Sequence, residues 1–104
     1  MTRHVVLRTA QGRAVNESEL AALFEIERRA MGVPWGAPIA LGELGQAIGR
    51  CGRTTRRVCQ MLQEHGLITM CIRHDTSGKQ LENEYALTDA GRALLEAARG
   101  QGHG

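Results

Sequence analysis

Between Glu43 and Glu64 the chain carries no acidic residue, yet it places Arg50, Arg53, Arg56 and Arg57 there. No other stretch constrains the fold as much. From Gly52 to His65 the residues fit a single helix, with Gly49 ahead of it and Gly66 closing it. At about 100° per residue, Arg53, Arg56, Arg57, Gln60 and Glu64 fall within roughly 100° of one another. Thr55, Val58, Cys59 and Leu62 fall on the opposite side. One side of such a helix has to be covered by the rest of the molecule. The other has to face solvent or an anionic partner, because a row of unpaired guanidinium groups is too costly to bury.

The flanking sequence supplies the cover. A short helix is predicted from about Gly42 to Ile48, burying Leu44, Ala47 and Ile48. Gly49 ends it, and Arg50-Cys51-Gly52 forms a tight turn into the basic helix, a helix-turn-helix arrangement that fixes the angle between the two. Upstream, Asn16 with Glu19 three residues later reads as a capping box. Leu20, Leu23, Phe24, Glu27 and Met31 follow at helical spacing with Ile26 beside them, and Gly32 is the expected stop. Val33 to Pro38, which contains Trp35, reads as a loop bracketed by Pro34 and Pro38.

After the basic helix the period changes from helical to alternating. Leu67 to His74 reads as a strand, Asp75 to Lys79 as a turn, and Gln80 to Leu87 as a second strand. In that second strand Leu81, Asn83, Tyr85 and Leu87 share one face, and Glu82, Glu84 and Ala86 the other. Thr88 or Asp89 caps a last helix that runs to about Ala98 on Ala90, Leu94, Leu95 and Ala98. The expected organisation is an N-terminal arm or short strand over residues 1–15, one domain over 16–99, and a flexible tail over 100–104. The fold class is α+β and mostly helical: a three-helix core, a two-stranded hairpin and a C-terminal helix.

Charge sharpens this picture. Residues 50–79 hold six basic residues against Glu64 and Asp75, leaving +4, while the rest of the chain is −2. Concentrated positive charge is what a nucleic-acid footprint requires, although a solvated basic face would have the same composition. With 42% hydrophobic and 23% charged residues the chain is globular in composition. No apolar run approaches the ~20 residues of a membrane span, and Val5 to Leu7 is too short for a signal-peptide core. Three cysteines without tight spacing are not a disulfide framework. The expected location is the cytoplasm, associated with the nucleoid. There is no nucleophile elbow, no paired metal-ligating histidines and no phosphate-cradling glycine loop, so neither an enzyme nor a cofactor or metal is expected. A Cys or His metal site drawing on His65 or His74 lacks the usual spacing, and His4 and His103 fall near the ends.

Glu43-Leu44-Gly45-Gln46-Ala47-Ile48-Gly49, the turn, Arg53-Thr54-Thr55-Arg56-Arg57 and Gly66-Leu67-Ile68 together resemble the winged helix-turn-helix pattern. Tyr85-Ala86-Leu87-Thr88-Asp89-Ala90-Gly91-Arg92 is similar to the wing exit and final helix of bacterial regulators of the MarR and PadR type. The resemblance covers about residues 16–99. It implies sequence-specific binding of double-stranded DNA by a transcriptional regulator, most often a repressor acting as a homodimer. It further implies that helix 52–65 enters the major groove and that the 68–87 hairpin serves as the wing.

Carried over by position, Arg53, Thr54, Arg56 and Arg57 face the groove, Arg50 and Gln60 flank it, and Arg73 and Lys79 are wing contacts to phosphate. Leu20, Phe24, Leu94 and Leu95 are candidates for core or dimer packing. Two other roles suit the same residues: a DNA-binding module of plasmid or phage replication or partition, and a winged-helix protein-interaction module that does not bind DNA. Three positions depart from the family pattern. Cys51 stands where Ser or Thr usually caps the recognition helix, Gly45 where Ala is usual, and Thr55 where Val is usual. A thiol at a helix N-terminus beside Arg50 and Arg53 has its pKa lowered by dipole and charge, which makes Cys51 a candidate redox site.

Overall fold

The computed structural model describes residues 7, 8, 12, 14–31, 36–79 and 82–102. His4, the Gly32 stop, Pro34, Trp35, Gln80, Leu81 and His103 lie outside the described residues.

Two short strands, β1 (Leu7–Arg8) and β2 (Ala14–Val15), pair antiparallel ahead of the first helix, α1 (Glu17–Arg29). The capping box forms as the sequence predicts: Asn16 Oδ1 accepts from the Glu19 backbone N–H at 2.8 Å, and Glu19 Oε1 accepts from the Asn16 N–H at 2.9 Å. That exchange explains how Glu19 can be only 5% exposed. The helix ends at Arg29, not at Gly32, and Met31 is 75% exposed rather than part of the buried stripe. Ala30 closes the last turn through its N–H to the Ile26 carbonyl.

The helix-turn-helix follows as α2 (Leu41–Ile48) and α3 (Gly52–Glu64). Gly49 takes a left-handed conformation at φ 70°, so its N–H and that of Arg50 turn back onto the Gln46 and Gly45 carbonyls. Three residues thereby separate the end of α2 from the start of α3. On α2, Leu44 and Gly45 are buried and Ile48 is partly so, whereas Ala47 is exposed, contrary to expectation. On α3 the buried residues are Thr55, Val58, Cys59 and Leu62, the face read from the sequence. Thr55 is 0% exposed, and its hydroxyl donates to the Cys51 carbonyl at 2.8 Å. A polar residue is tolerated there because its donor is satisfied.

The sheet differs from the expected two-stranded hairpin. Strands β4 (Ile68–Cys71) and β5 (Glu84–Leu87) pair antiparallel, and a third strand, β3 (Ala37–Pro38), adds to the other edge of β5 in the order β3-β5-β4. The loop expected over 33–38 therefore ends in a strand. Proline, which has no N–H, suits a two-residue edge strand. Gly36, at φ 103°, lets the chain approach β5 so closely that a Cβ would lie 2.5 Å from the Tyr85 carbonyl oxygen.

Helix α4 (Asp89–Gly102) closes the molecule. It extends past Ala98 and takes in residues 100–102, which the sequence assigned to a tail. Its cap is Thr88, whose hydroxyl donates to the Gly66 carbonyl at 2.6 Å and accepts from the Gly91 N–H at 3.1 Å. The C-terminal end of α3 and the start of α4 are thus held by one side chain. The core lies between the three N-terminal helices, the sheet and α4, with Leu23, Ile26, Leu44, Leu62, Leu67 and Leu95 all 2% exposed or less. Burying each such side chain contributes about 1.5–3 kcal/mol. Among the described residues no helix is long and apolar enough to cross a membrane.

Candidate nucleic-acid interface

Arg53, Thr54, Arg56, Arg57 and Gln60 are all exposed on α3, and Arg50 is exposed in the turn before it. The arrangement follows from burial. With Val58, Cys59 and Leu62 in the core, the 3.6-residue period turns the arginines outward. The backing is rigid, because α3 packs on α1, α2 and β4.

Pairing separates these arginines from the others. Among the described residues Arg28, Arg29, Arg73, Arg92 and Arg99 each meet a carboxylate, and Arg8 donates to the Gly12 carbonyl. Arg50, Arg53, Arg56 and Arg57 meet no carboxylate among the described residues. Arg50 instead donates from Nε to the Ser18 hydroxyl on α1 at 2.9 Å. Among the described residues, the guanidinium groups that meet no carboxylate therefore cluster along α3 and the turn before it.

A cleft borders that helix on each flank. The larger, about 710 Å³, runs between α3 and the sheet, where Arg56 and Gln60 stand beside Tyr85, Asn83, Glu82 and the start of α2. At its base burial pushes the Tyr85 hydroxyl pKa up, partly offset by a hydrogen bond with Asn83 and the nearby Arg56 charge, and burial likewise raises that of the Cys59 thiol. The smaller cleft, about 370 Å³, lies on the other flank, where Arg57, Thr54 and Arg50 face Ser18 and Asn16 at the start of α1.

The hairpin residues behave differently from one another. Arg73 Nε pairs with Glu84 Oε1 at 3.1 Å, so its charge is partly answered within the hairpin. Lys79 is exposed at the tip, where Asp75 Oδ1 accepts from the backbone N–H groups of Ser77 and Lys79, each at 2.9 Å. The Ser77 hydroxyl and those N–H groups hold the Asp75 carboxyl below its ordinary range.

Cys51 occupies the N-cap of α3 without making a side-chain cap hydrogen bond. Its exposed thiol lies 3.4 Å from the Thr54 hydroxyl. Its pKa is lowered, but the causes are the Thr54 hydroxyl and the backbone N–H groups of Thr54 and Arg53, not the arginine charges invoked from the sequence. Cys59 is buried and Cys71 exposed. Among the described residues no group of three or more His, Cys, Asp or Glu side chains is placed to hold a metal. Leu94 and Leu95 are buried within the chain, whereas Leu20 and Phe24 are only partly covered. Two features escaped the sequence reading: the Ser18–Arg50 contact and the part that Asn83 and Tyr85 take in the larger cleft. Nothing local to Ser18 signals a partner 32 residues away.

The architecture has clear counterparts among solved structures. Staphylococcus aureus MepR in a complex with DNA superposes with a TM-score of 0.65 at 18% identity, over 84% of this chain and 64% of that one. The fold is the winged helix of MarR-type regulators. A probable transcriptional regulator from Pseudomonas aeruginosa matches at 0.59 and 27% identity, over 85% of this chain and 61% of that one. A Ralstonia eutropha JMP134 protein described as DNA-binding matches at 0.59 and 19% identity, over 81% and 96%. The chain spans less than two thirds of the length of the MepR and Pseudomonas chains. No protein-family model and no curated protein sequence matches it.

Proposed function

We propose that this winged helix binds double-stranded DNA in a sequence-specific way and acts as a transcriptional regulator, most simply a repressor, in the cytoplasm at the nucleoid. Helix α3 enters the major groove, the β4–β5 hairpin is the wing, and two chains occupy a two-fold symmetric site. The observation that carries this reading is the pairing contrast: Arg53, Arg56 and Arg57 lie side by side on a rigid, exposed helix face with no carboxylate to answer them among the described residues. Guanidinium forks in that position suit phosphate oxygens and guanine edges. Arg53, Arg56 and Arg57 supply groove contacts, with Thr54 at their edge. Arg50 and Gln60 supply flanking contacts, and Lys79 reaches phosphate from the wing. Arg73 joins it only by leaving Glu84, a small cost for an exposed ion pair. The MepR–DNA complex supports DNA as the partner of this fold.

The deciding experiment is selection of bound fragments from a random duplex library at low salt. The expected result is enrichment of a motif with two related half-sites one helical turn apart. Retention of no duplex above background would overturn the reading.

A further inference from the structure

The exposed face of α3 is shared between its two clefts. Arg56 and Gln60 belong to the flank beside the sheet, while Arg57 and Thr54 belong to the flank beside the start of α1. We propose that the second cleft is a seat for a DNA phosphate, and that Ser18 and Arg50 therefore belong to the DNA-contacting surface. The inference rests on the DNA-binding reading and adds a place where α1 takes part.

The geometry of the groove points to this role. The major groove is about 12 Å wide and a helix with its side chains about 10–12 Å across. A helix lying in the groove therefore has a sugar-phosphate wall against each flank. The hairpin with Lys79 stands on one side. On the other, among the described residues, the start of α1 lines the flank. Arg50 and Arg57 both line the cleft there, together with the hydroxyls of Ser18 and Thr54. Two like charges lining one cleft, neither bonded to a carboxylate among the described residues, favour an anion there. The Ser18 hydroxyl takes the Arg50 Nε–H at 2.9 Å, which leaves both terminal nitrogens of that guanidinium free to donate.

Glu19, the acid in the lining, does not oppose this arrangement. The residue is 5% exposed, and its carboxylate accepts from the Asn16 N–H. Glu17 is exposed and is not among the lining residues. The occupant is a backbone phosphodiester rather than a base, because Ser18 and Arg50 lie off the central face of α3. Ser18 acts chiefly as a positioning residue for Arg50.

The test uses the duplex selected above, with a neutral methylphosphonate placed at one backbone position at a time. Wild type, Arg50→Gln, Ser18→Ala and a control, Arg28→Gln, are titrated by fluorescence anisotropy, and melting curves confirm that each variant folds. Neutralising one or two phosphates on the flank away from the wing is expected to weaken wild type and Arg28→Gln roughly tenfold. The same neutralisation is expected to leave Arg50→Gln unaffected and to have a reduced effect on Ser18→Ala. Arg50→Gln should also lose about one unit of salt slope. If Arg50→Gln keeps the wild-type profile at every phosphate, the seat is overturned while DNA binding stands. If wild type binds no duplex, the DNA reading falls and this inference with it.

Discussion

Arg56 and Arg57 are neighbours in sequence and about 100° apart on the helix, so each borders a different cleft. They should therefore meet different strands or base pairs, and their contributions should add. Arg56→Ala and Arg57→Ala are each expected to weaken specific binding by about 1–3 kcal/mol if they read bases. The double variant should lose close to the sum, as independent sites do. Anisotropy titrations against the selected site and a scrambled duplex measure both values. A sequence preference unchanged in the double variant would show that the pair holds only phosphate.

Gly45 gives a second residue-scale prediction. Read from the sequence it only weakens α2, since Gly is a poorer helix former than Ala. In the fold a Cβ there would lie 2.8 Å from the Arg50 carbonyl oxygen and 2.9 Å from the Thr55 hydroxyl oxygen. Gly45→Ala should therefore destabilise by about 1–3 kcal/mol, the usual cost of overpacking, instead of gaining helix propensity. Urea denaturation decides it, and a rise in midpoint would sink the steric account.

At the scale of elements, α1 and α2 are joined by charge as well as by packing. Glu25 Oε2 meets Arg28 Nη2 at 2.5 Å and Arg29 Nε at 2.6 Å, and Arg29 Nη1 continues to Glu43 Oε2 on α2 at 2.6 Å. The hydrogen bonds from Arg28 and Arg29 hold the Glu25 carboxyl down to about 2 from an ordinary 4.5. A carboxyl with a depressed folded pKa contributes stability above its unfolded pKa and loses it as pH falls through the folded one. Wild type should thus melt above Glu25→Gln at neutral pH, by about 1 kcal/mol for a network whose outer partners Arg28 and Glu43 are exposed. That gap should close as pH falls from 4.5 towards 2. Parallel thermal melts across that range test it, and a gap that widens in acid would refute it.

The elements also show what a sequence makes legible. All four helices were readable because each has a local signature: the Asn16–Glu19 box, the glycines after α2 and α3, and the Thr88 cap. The two faces of α3 followed from period alone. Strand β3 was not readable. Its two residues acquire partners only when Tyr85 and Glu84 arrive from nearly fifty positions away, and Pro38 argued locally for a loop. Met31 fits the apolar period of α1, but the helix ends before it, and a period carries no stop signal. The candidate site divides in the same way. Which arginines are exposed was legible from the helical wheel. Which of them lack a carboxylate depends on tertiary neighbours such as Glu84 beside Arg73.

For the whole molecule the relevant quantity is the field of one face. The described chain measures 55 × 27 × 23 Å, and its unpaired cations gather along α3 and at the hairpin tip. Each phosphate neutralised lowers the slope of log Kobs against log salt by about 0.9. Among the described residues, Arg50, Arg53, Arg56, Arg57 and Lys79 are the cations that the reading brings to DNA without first breaking an ion pair. If at most two of the five read bases, three to five phosphate contacts remain, for a slope of about −3 to −5 per chain. Two chains on one site should double that value. A slope near −3 to −5 with one chain per duplex would describe a monomeric binder, and one near −6 to −10 with two chains a symmetric dimer. Anisotropy across a salt series, with stoichiometry from sedimentation, separates the two. A slope near zero would mean that the arginine face does not meet phosphate, because an acid-free row of guanidinium groups cannot dock on DNA without displacing counterions.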